Sequence, residues 1–238
     1  MSCLLSSRLT VKYLTVSNYE IYYWASRGIS YLIIFPSIIG FFRFTKIERA
    51  FAPFFVLVFF ELLTEINFEI LTRTVGTNSI SSNFYFIVSF YIILWQLLQW
   101  GVFKITSWWT IFTSVVVLSA WIIENLIISS LWKFNAYCTV INAGFVIILS
   151  IQALSKISFL VKKETTKKLI FLMLAIWILK YVQLIITETS WIIYQDFSFE
   201  FNVNLGILGM CINGLTNLVY LLIAIWIPKK RKYSWLSP

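Results

Sequence analysis

Three glutamates recur at four-residue spacing inside one apolar segment. Glu61, Glu65 and Glu69 lie in the run from Ala50 to Leu71. A helix there would carry all three carboxylates within about 80° of one face and over about 12 Å of its length. A charged group at the centre of a bilayer costs about 2.5 to 3.5 kcal/mol even on the insertion scale. The three carboxylates are therefore predicted to face the inside of a helix bundle and not the lipid.

The composition of the 238-residue chain is that of an integral membrane protein. Hydrophobic residues make up 60% of it and charged residues 12%, far from the proportions of a soluble domain. The formal net charge of +9 would suggest a nucleic-acid partner for a soluble protein. Here the basic residues collect beside the apolar runs, so we predict the lipid bilayer as partner and no nucleic acid.

Histidine is absent from the whole sequence. This absence removes the usual catalytic imidazole and the commonest ligand of zinc, haem and copper. Cys3, Cys138 and Cys211 are scattered and odd in number, so they indicate neither a disulfide framework nor a metal site. The sequence therefore predicts no metal and no cofactor, and it disfavours an enzyme without excluding chemistry by carboxylates alone.

Seven apolar runs are long enough to cross a bilayer as helices. They predict an all-α polytopic membrane protein, with residues 1–21 as an extracytoplasmic arm, 22–228 as a bundle of seven transmembrane helices and 229–238 as a basic tail. Pro53 fits the first turn of the second helix, whereas Pro36 lies inside the first and is expected to kink it. The predicted spans are Tyr22–Phe42, Ala50–Leu71, Asn83–Phe103, Ser107–Ile128, Ala136–Ile157, Lys168–Ser190 and Asn202–Ile227.

The basic residues divide unevenly between the two ends of this predicted bundle. Most lie at the end that carries the C-terminal tail, and few besides Arg73 and Lys133 flank the spans at the other end. Because positively charged loops stay in the cytoplasm, the N-terminus is predicted outside and the C-terminus in the cytoplasm, in the inner membrane. A cytoplasmic or membrane signalling partner is expected to contact the lysines of one cytoplasmic connection, which are Lys162, Lys163, Lys167 and Lys168.

Polar residues inside the predicted spans concentrate in the outer half of the bundle. Glu61 and Lys180 are both predicted to lie near the midplane of the bilayer and to pair with each other. In the whole set, acidic residues outnumber basic ones. The set could be structural, with ion pairs and amide hydrogen bonds between helices, or it could line an outward-facing ligand or ion pocket. Its members are Arg27, Glu61, Glu65, Glu69, Glu124, Asn142, Lys180, Gln183, Glu188, Asn213 and Asn217.

Four sequence marks resemble a family of small seven-helix membrane proteins that is widespread in Bacteroidota and lacks soluble domains. They are the acidic FFELLTEINFEIL, then TNSISSNFYFIVSFYIIL, KFNAY and INGLTNLVYLLIAIWIPKK. Members of that family often have a histidine and a glutamate in the third span, where this chain has Phe86 and Phe90. The resemblance implies the seven-helix architecture and no established activity.

Three classes of function are compatible with these features. The first is a sensory or signalling membrane subunit with an acidic intramembrane pocket and no output domain of its own. The second is a cation- or proton-coupled small transporter or channel, in which Glu61, Glu65 and Glu69 would form the path with Lys180 as counterion. The third is a lipid-acting intramembrane enzyme that uses carboxylates alone. A retinal protein is disfavoured because the last span contains no lysine.

Overall fold

The computed structural model of the chain describes residues 16–161, 163–193 and 199–228. These residues are almost entirely helical, and none of them belongs to a β-strand. Residues 1–15 of the predicted arm, the whole predicted tail 229–238 and Lys162 lie outside the described residues. The helices are α1 (Val16–Tyr31), α2 (Ile34–Arg43), α3 (Ala52–Thr74), α4 (Ser79–Gln99), α5 (Trp108–Ile122, extended by a π-helical turn Ile123–Ile128), α6 (Ala136–Leu160), α7 (Glu164–Ile193) and α8 (Phe199–Trp226).

Six helical segments among the described residues are long and apolar enough to cross a membrane, so the chain is a multi-pass membrane protein. They are Tyr23–Lys46, Ser79–Gln99, Trp108–Ile128, Ala136–Phe159, Glu164–Ser190 and Val203–Trp226. Each overlaps one of the predicted spans. Helix α3 is not among these six segments. Its 23 residues are long enough to cross a membrane, but three glutamates and an arginine make it too charged to be counted with them.

The helices are arranged as a closed ring with one helix outside it. Going round the ring, the α1–α2 segment packs on α3, α3 on α4, α4 on α6, α6 on α7, α7 on α8, and α8 back on the α1–α2 segment. Helix α5 packs on α4 and α6 from outside. Only 22% of the most apolar 18-residue segment of this helix is buried inside the protein, compared with 56% of the corresponding segment of α4. The charged α3 thus occupies a ring position, where its polar face can avoid lipid.

The first span is broken, as Pro36 predicts. Proline has no N–H to donate to the preceding turn, and the chain tightens just before it. Leu32 donates its N–H to the carbonyl of Ile29 at 3.2 Å, an i−3 bond in place of the α-helical one. The side-chain amide of Asn217 on α8 donates to the same Ile29 carbonyl at 2.9 Å. The break is therefore held by a neighbouring helix.

Pro53 occupies the first turn of α3, as the sequence predicts. The start of this helix is fixed by Gln96 of α4. Its side-chain oxygen accepts the N–H of Phe54 at 2.8 Å, and its amide nitrogen donates to the carbonyl of Ala50 at 2.5 Å. A buried glutamine thereby satisfies backbone groups that a helix end leaves free and sets the position of α3 against α4.

Candidate ligand cavity

A cavity of about 470 Å³ lies inside the ring, between α3, α4, α7, α8 and the broken first span. Its walls come from the C-terminal halves of α3 and α7 and from the N-terminal parts of α4 and α6. All of these parts lie at the end of the bundle that carries the α3–α4 and α5–α6 connections. The cavity therefore occupies one half of the bundle, the half that the sequence predicts to be polar.

The predicted polar residues separate into two groups in the structure. Seven of them line the cavity: Glu61, Glu65, Lys180, Gln183, Glu188, Asn213 and Asn217. The other four, Arg27, Glu69, Glu124 and Asn142, are not part of its lining.

At the inner end of the cavity, Glu61 and Lys180 form the ion pair that the sequence predicts. The Lys180 ammonium lies 2.7 Å from Oε1 of Glu61. Tyr85 of α4 joins them, because its hydroxyl donates to Glu61 at 3.1 Å and accepts from Lys180 at 3.1 Å. Both side chains are largely shielded from solvent. The three groups satisfy one another, so this carboxylate is already neutralised by the protein.

Two other carboxylates in the same cavity have no such partner. Glu65 lies one turn beyond Glu61 on α3, and Glu188 lies two turns beyond Lys180 on α7. Neither accepts a hydrogen bond or forms an ion pair with any of the residues that the structure describes, although Glu188 is only 7% exposed. Among the described lining residues three acids, when ionised, face one base, so these residues together carry a net negative charge.

The third glutamate of the acidic stripe is tied to the first span. Glu69 forms an ion pair with Nε of Arg27 at 3.1 Å and accepts a hydrogen bond from Nε of Arg73 at 2.5 Å. The hydroxyl of Tyr23 also donates to it, at 3.3 Å. This network joins α1 to the end of α3 and leaves no free oxygen directed at the cavity. The stripe therefore splits into a structural member and two cavity members.

Glu124 and Asn142 hold helices in place outside the cavity. Glu124, in the π-helical turn after α5, accepts the N–H groups of Tyr137 at 3.1 Å and of Cys138. It thus caps the first turn of α6, where free N–H groups favour an anion. Asn142 on α6 donates to the carbonyl of Phe86 on α4. Both side chains join neighbouring segments.

The two asparagines of α8 combine both roles. Asn213 donates to the hydroxyl of Ser30 at 3.1 Å, and Asn217 bonds the Ile29 carbonyl at the break. Both also line the cavity. A ligand in the cavity would therefore lie beside the discontinuity of the first span.

The inner end of the cavity is closed by a layer of aromatic residues. Trp177, one turn below Lys180, donates its indole N–H to the hydroxyl of Tyr220 at 3.0 Å. Phe54 packs edge-to-face on Tyr220 with 5.3 Å between the ring centroids, and Trp100 stacks on Trp177 at 6.1 Å. Trp177, Tyr220 and Phe54 are fully buried. The cavity therefore does not continue to the other end of the bundle.

The cavity residue of most consequence that the sequence analysis missed is Tyr85. A signal for it does exist, because Ser82, Tyr85 and Ser89 follow one another at helical spacing on α4 and all are at least partly buried. In a chain this rich in aromatic residues, Tyr85 is easily taken for a tyrosine at the membrane interface. Recognising it would have predicted a hydroxyl beside the acidic stripe of α3.

The described part of the chain offers no group of three or more carboxylate or thiol side chains placed to hold a metal ion. Of the predicted partner lysines, Lys163 and Lys168 are exposed, and Lys167 donates to the carbonyl of Ser158 at 3.4 Å.

The fold and the cavity thus define a multi-pass helical membrane protein with an acid-rich intramembrane cavity in one half of its bundle. No protein family, curated protein or solved structure matches the chain.

Proposed function

We propose that this chain is a sensory or signalling membrane subunit that binds a small organic cation in the acidic cavity. The observation that supports this most is the pair of carboxylates, Glu65 and Glu188, that line the same cavity without a partner among the described residues. A buried charge is costly unless it is paired. A cationic ligand would supply the missing partner for both, whereas an anionic ligand would be repelled by the net negative charge of the described lining residues.

The size and walls of the cavity suit such a ligand. Its volume of about 470 Å³ falls within the range of about 300 to 1,000 Å³ that small-molecule sites occupy. Aromatic rings line it beside the acids, among them Phe68, Phe134 and Tyr181. Faces of aromatic rings attract organic cations, and do so most strongly where water is excluded. Carboxylates and rings together favour an amine over a bare metal ion.

The closed inner end favours binding over conduction. A channel needs a continuous polar path, and the Trp177–Tyr220 layer interrupts it. A sensor needs only two bundle arrangements with different affinity for the ligand. The break before Pro36, held by Asn217, supplies an element that could adopt two arrangements. The signal would then reach a partner at the opposite end, where Lys163 is exposed.

The proposal includes a seventh crossing by α3 and an orientation in the inner membrane with the cavity outside. The position of α3 within the ring supports the crossing, since its glutamates then face protein. The excess of basic residues at the other end supports the orientation. The C-terminus would then lie in the cytoplasm.

A labelling experiment tests this orientation. In a cysteine-free background, Val75→Cys on the α3–α4 connection and Lys163→Cys before α7 both place a thiol at an exposed position. We expect an impermeant thiol reagent to label Val75→Cys in intact cells and Lys163→Cys only after permeabilisation. The reverse pattern would invert the orientation, and labelling of both in intact cells would show that the three crossings α4, α5 and α6 between them do not place the two connections on opposite sides.

A ligand screen tests the proposed function itself. Purified protein would be heated in detergent with choline, putrescine or agmatine, and with glutarate and glycerol as anionic and neutral controls. We expect at least one cation to raise the midpoint of thermal unfolding, because a ligand at 100 times its Kd stabilises the folded state by about 2.7 kcal/mol. The proposal would be contradicted if glutarate alone raised the midpoint of unfolding, or if none of the three cations raised it.

A cation- or proton-coupled transporter is the second candidate, favoured by the discontinuous first span beside the cavity. Broken helices at mid-membrane sites are common in transporters, and the present arrangement would then be one closed at its inner end. Liposomes containing the protein separate the two. Accumulation of the bound cation above that in empty liposomes would favour transport, and binding without accumulation would favour the sensory role.

A further inference from the structure

A second groove lies at the opposite end of the bundle from the acidic cavity. It has a volume of about 870 Å³ and is formed by the end of α2, the first turns of α7 and the end of α8. Its chemistry is the reverse of the cavity's, because Arg43, Lys167 and Lys168 line it and Glu164 is the one acid among its described lining residues. The groove therefore carries a net positive charge.

The basic side chains of the groove are held at its edge, but their positive charge is not fully neutralised there. Arg43 donates to the carbonyls of Ile227 at 2.7 Å and of Ile225 at 2.5 Å, which fixes the guanidinium at the end of α8. Because those carbonyl partners are neutral, they leave the positive charge of Arg43 uncompensated. Lys168 lies 3.9 Å from Glu164, and both side chains are at least two-thirds exposed. Such an exposed pair is weak, and Lys168 can turn to another anion.

Below this basic edge the groove is apolar and open to the outside of the bundle. Phe171 and Trp226 are each 60% exposed, and Ile225 is 48% exposed. The exposed apolar surface continues towards the middle of the bundle along α8 through Leu222 and Leu218. In a membrane protein this places a basic edge at headgroup level and an apolar wall at the depth of the acyl chains.

We propose that this groove binds an anionic phospholipid. Its phosphate would lie between Lys167, Lys168 and Arg43, and its acyl chains would cover Phe171 and Trp226. A soluble anion would satisfy the basic edge and leave the apolar wall bare, and a zwitterionic lipid would cover the wall without a net charge for the lysines. The site is independent of the acidic cavity, and bound lipid would couple the start of α7 to the end of α8.

Native mass spectrometry of the detergent-purified full chain tests the site with phosphatidylglycerol, phosphatidylcholine and inorganic phosphate as probes. We expect a discrete phosphatidylglycerol adduct. Because each lysine near an anionic headgroup contributes about 1 kcal/mol, Lys167→Gln with Lys168→Gln should weaken this binding about 30-fold. Lys167→Arg with Lys168→Arg should retain it. Lys46→Gln with Lys104→Gln removes the same charge from exposed positions outside the groove and is the matched control.

Three results would overturn the proposal. Equal phosphatidylglycerol and phosphatidylcholine adducts on the wild-type protein would show that charge plays no part. An equal loss in the Lys46 and Lys104 control would show unspecific attraction to a basic end. Displacement of the lipid by millimolar phosphate, with a phosphate adduct in its place, would assign the site to a free anion. The first comparison uses only the wild-type chain, so it holds even if the glutamine variant does not fold.

Discussion

Replacing either partner of the Glu61–Lys180 pair alone should destabilise the protein strongly, whereas replacing both should be milder. The ammonium and the carboxylate are 2.7 Å apart and largely shielded. A single change leaves one charge without its partner, which costs about 3 to 5 kcal/mol. We therefore expect Glu61→Gln and Lys180→Met each to lower the midpoint of thermal unfolding in detergent, and the double variant to unfold above both.

The exposed pair Glu164–Lys168 is the matched control for this cycle. It joins the same two residue types at 3.9 Å, but both side chains are mostly exposed. Pairs of that kind contribute about 0 to 1 kcal/mol, so Glu164→Gln and Lys168→Met should change the midpoint little, singly or together. Additive losses at Glu61 and Lys180 would mean that the two do not interact, and the description of the inner end of the cavity would be wrong.

Neutralising the unpaired carboxylates should abolish cation binding without harming the fold. Glu65→Gln with Glu188→Gln keeps size and hydrogen-bonding capacity and deletes the two cavity charges that have no ion-pair or hydrogen-bond partner among the described residues. Loss of a buried charge partner costs about 2 kcal/mol or more, which is about 30-fold in Kd for each carboxylate. We expect the variant to be at least as stable as the parent, since charge crowding is relieved. The measurement is a titration with the cation that gives the largest shift in the screen.

Glu69→Gln is the control for that experiment, one turn from Glu65 on the same helix. Glu69 holds Arg27 and Arg73, and Arg27 is buried. Its replacement should lower stability and leave the affinity for the cation nearly unchanged. If the Glu65 and Glu188 variant folds and still binds the cation with the parent's affinity, the two carboxylates are not the site, and the proposed function loses its main support.

Much of the architecture follows from local features of the sequence. The apolar runs give the positions of the helices because a membrane helix must be apolar over about 20 residues wherever lipid meets it. Pro36 gives the break in the first span and Pro53 the start of α3, since each lacks a backbone donor. The Glu61–Lys180 pair follows from depth alone, as the two lie at similar heights and neither tolerates lipid.

The division of the polar residues into roles does not follow from the sequence. Spacing places Glu61, Glu65 and Glu69 on one stripe, yet Glu69 meets Arg27 and Glu65 meets no described partner, because the stripe faces α1 at one height and the cavity at another. Glu124 likewise looks like a pocket acid in the sequence and proves to cap α6. The partner of a side chain depends on which helix lies beside it, and the sequence does not give that neighbour.

The helical fold, the membrane location and the set of side chains that cannot face lipid follow from the amino-acid sequence, because those properties depend on each helix separately. The position of α5 outside the ring, the closure of the cavity by Trp177 and Tyr220, and the basic groove between α7 and α8 are seen only in the folded molecule. These features arise where helices distant in sequence meet. Their order round the ring is set by the packing of whole helix faces, to which many weak contacts contribute and no single motif does.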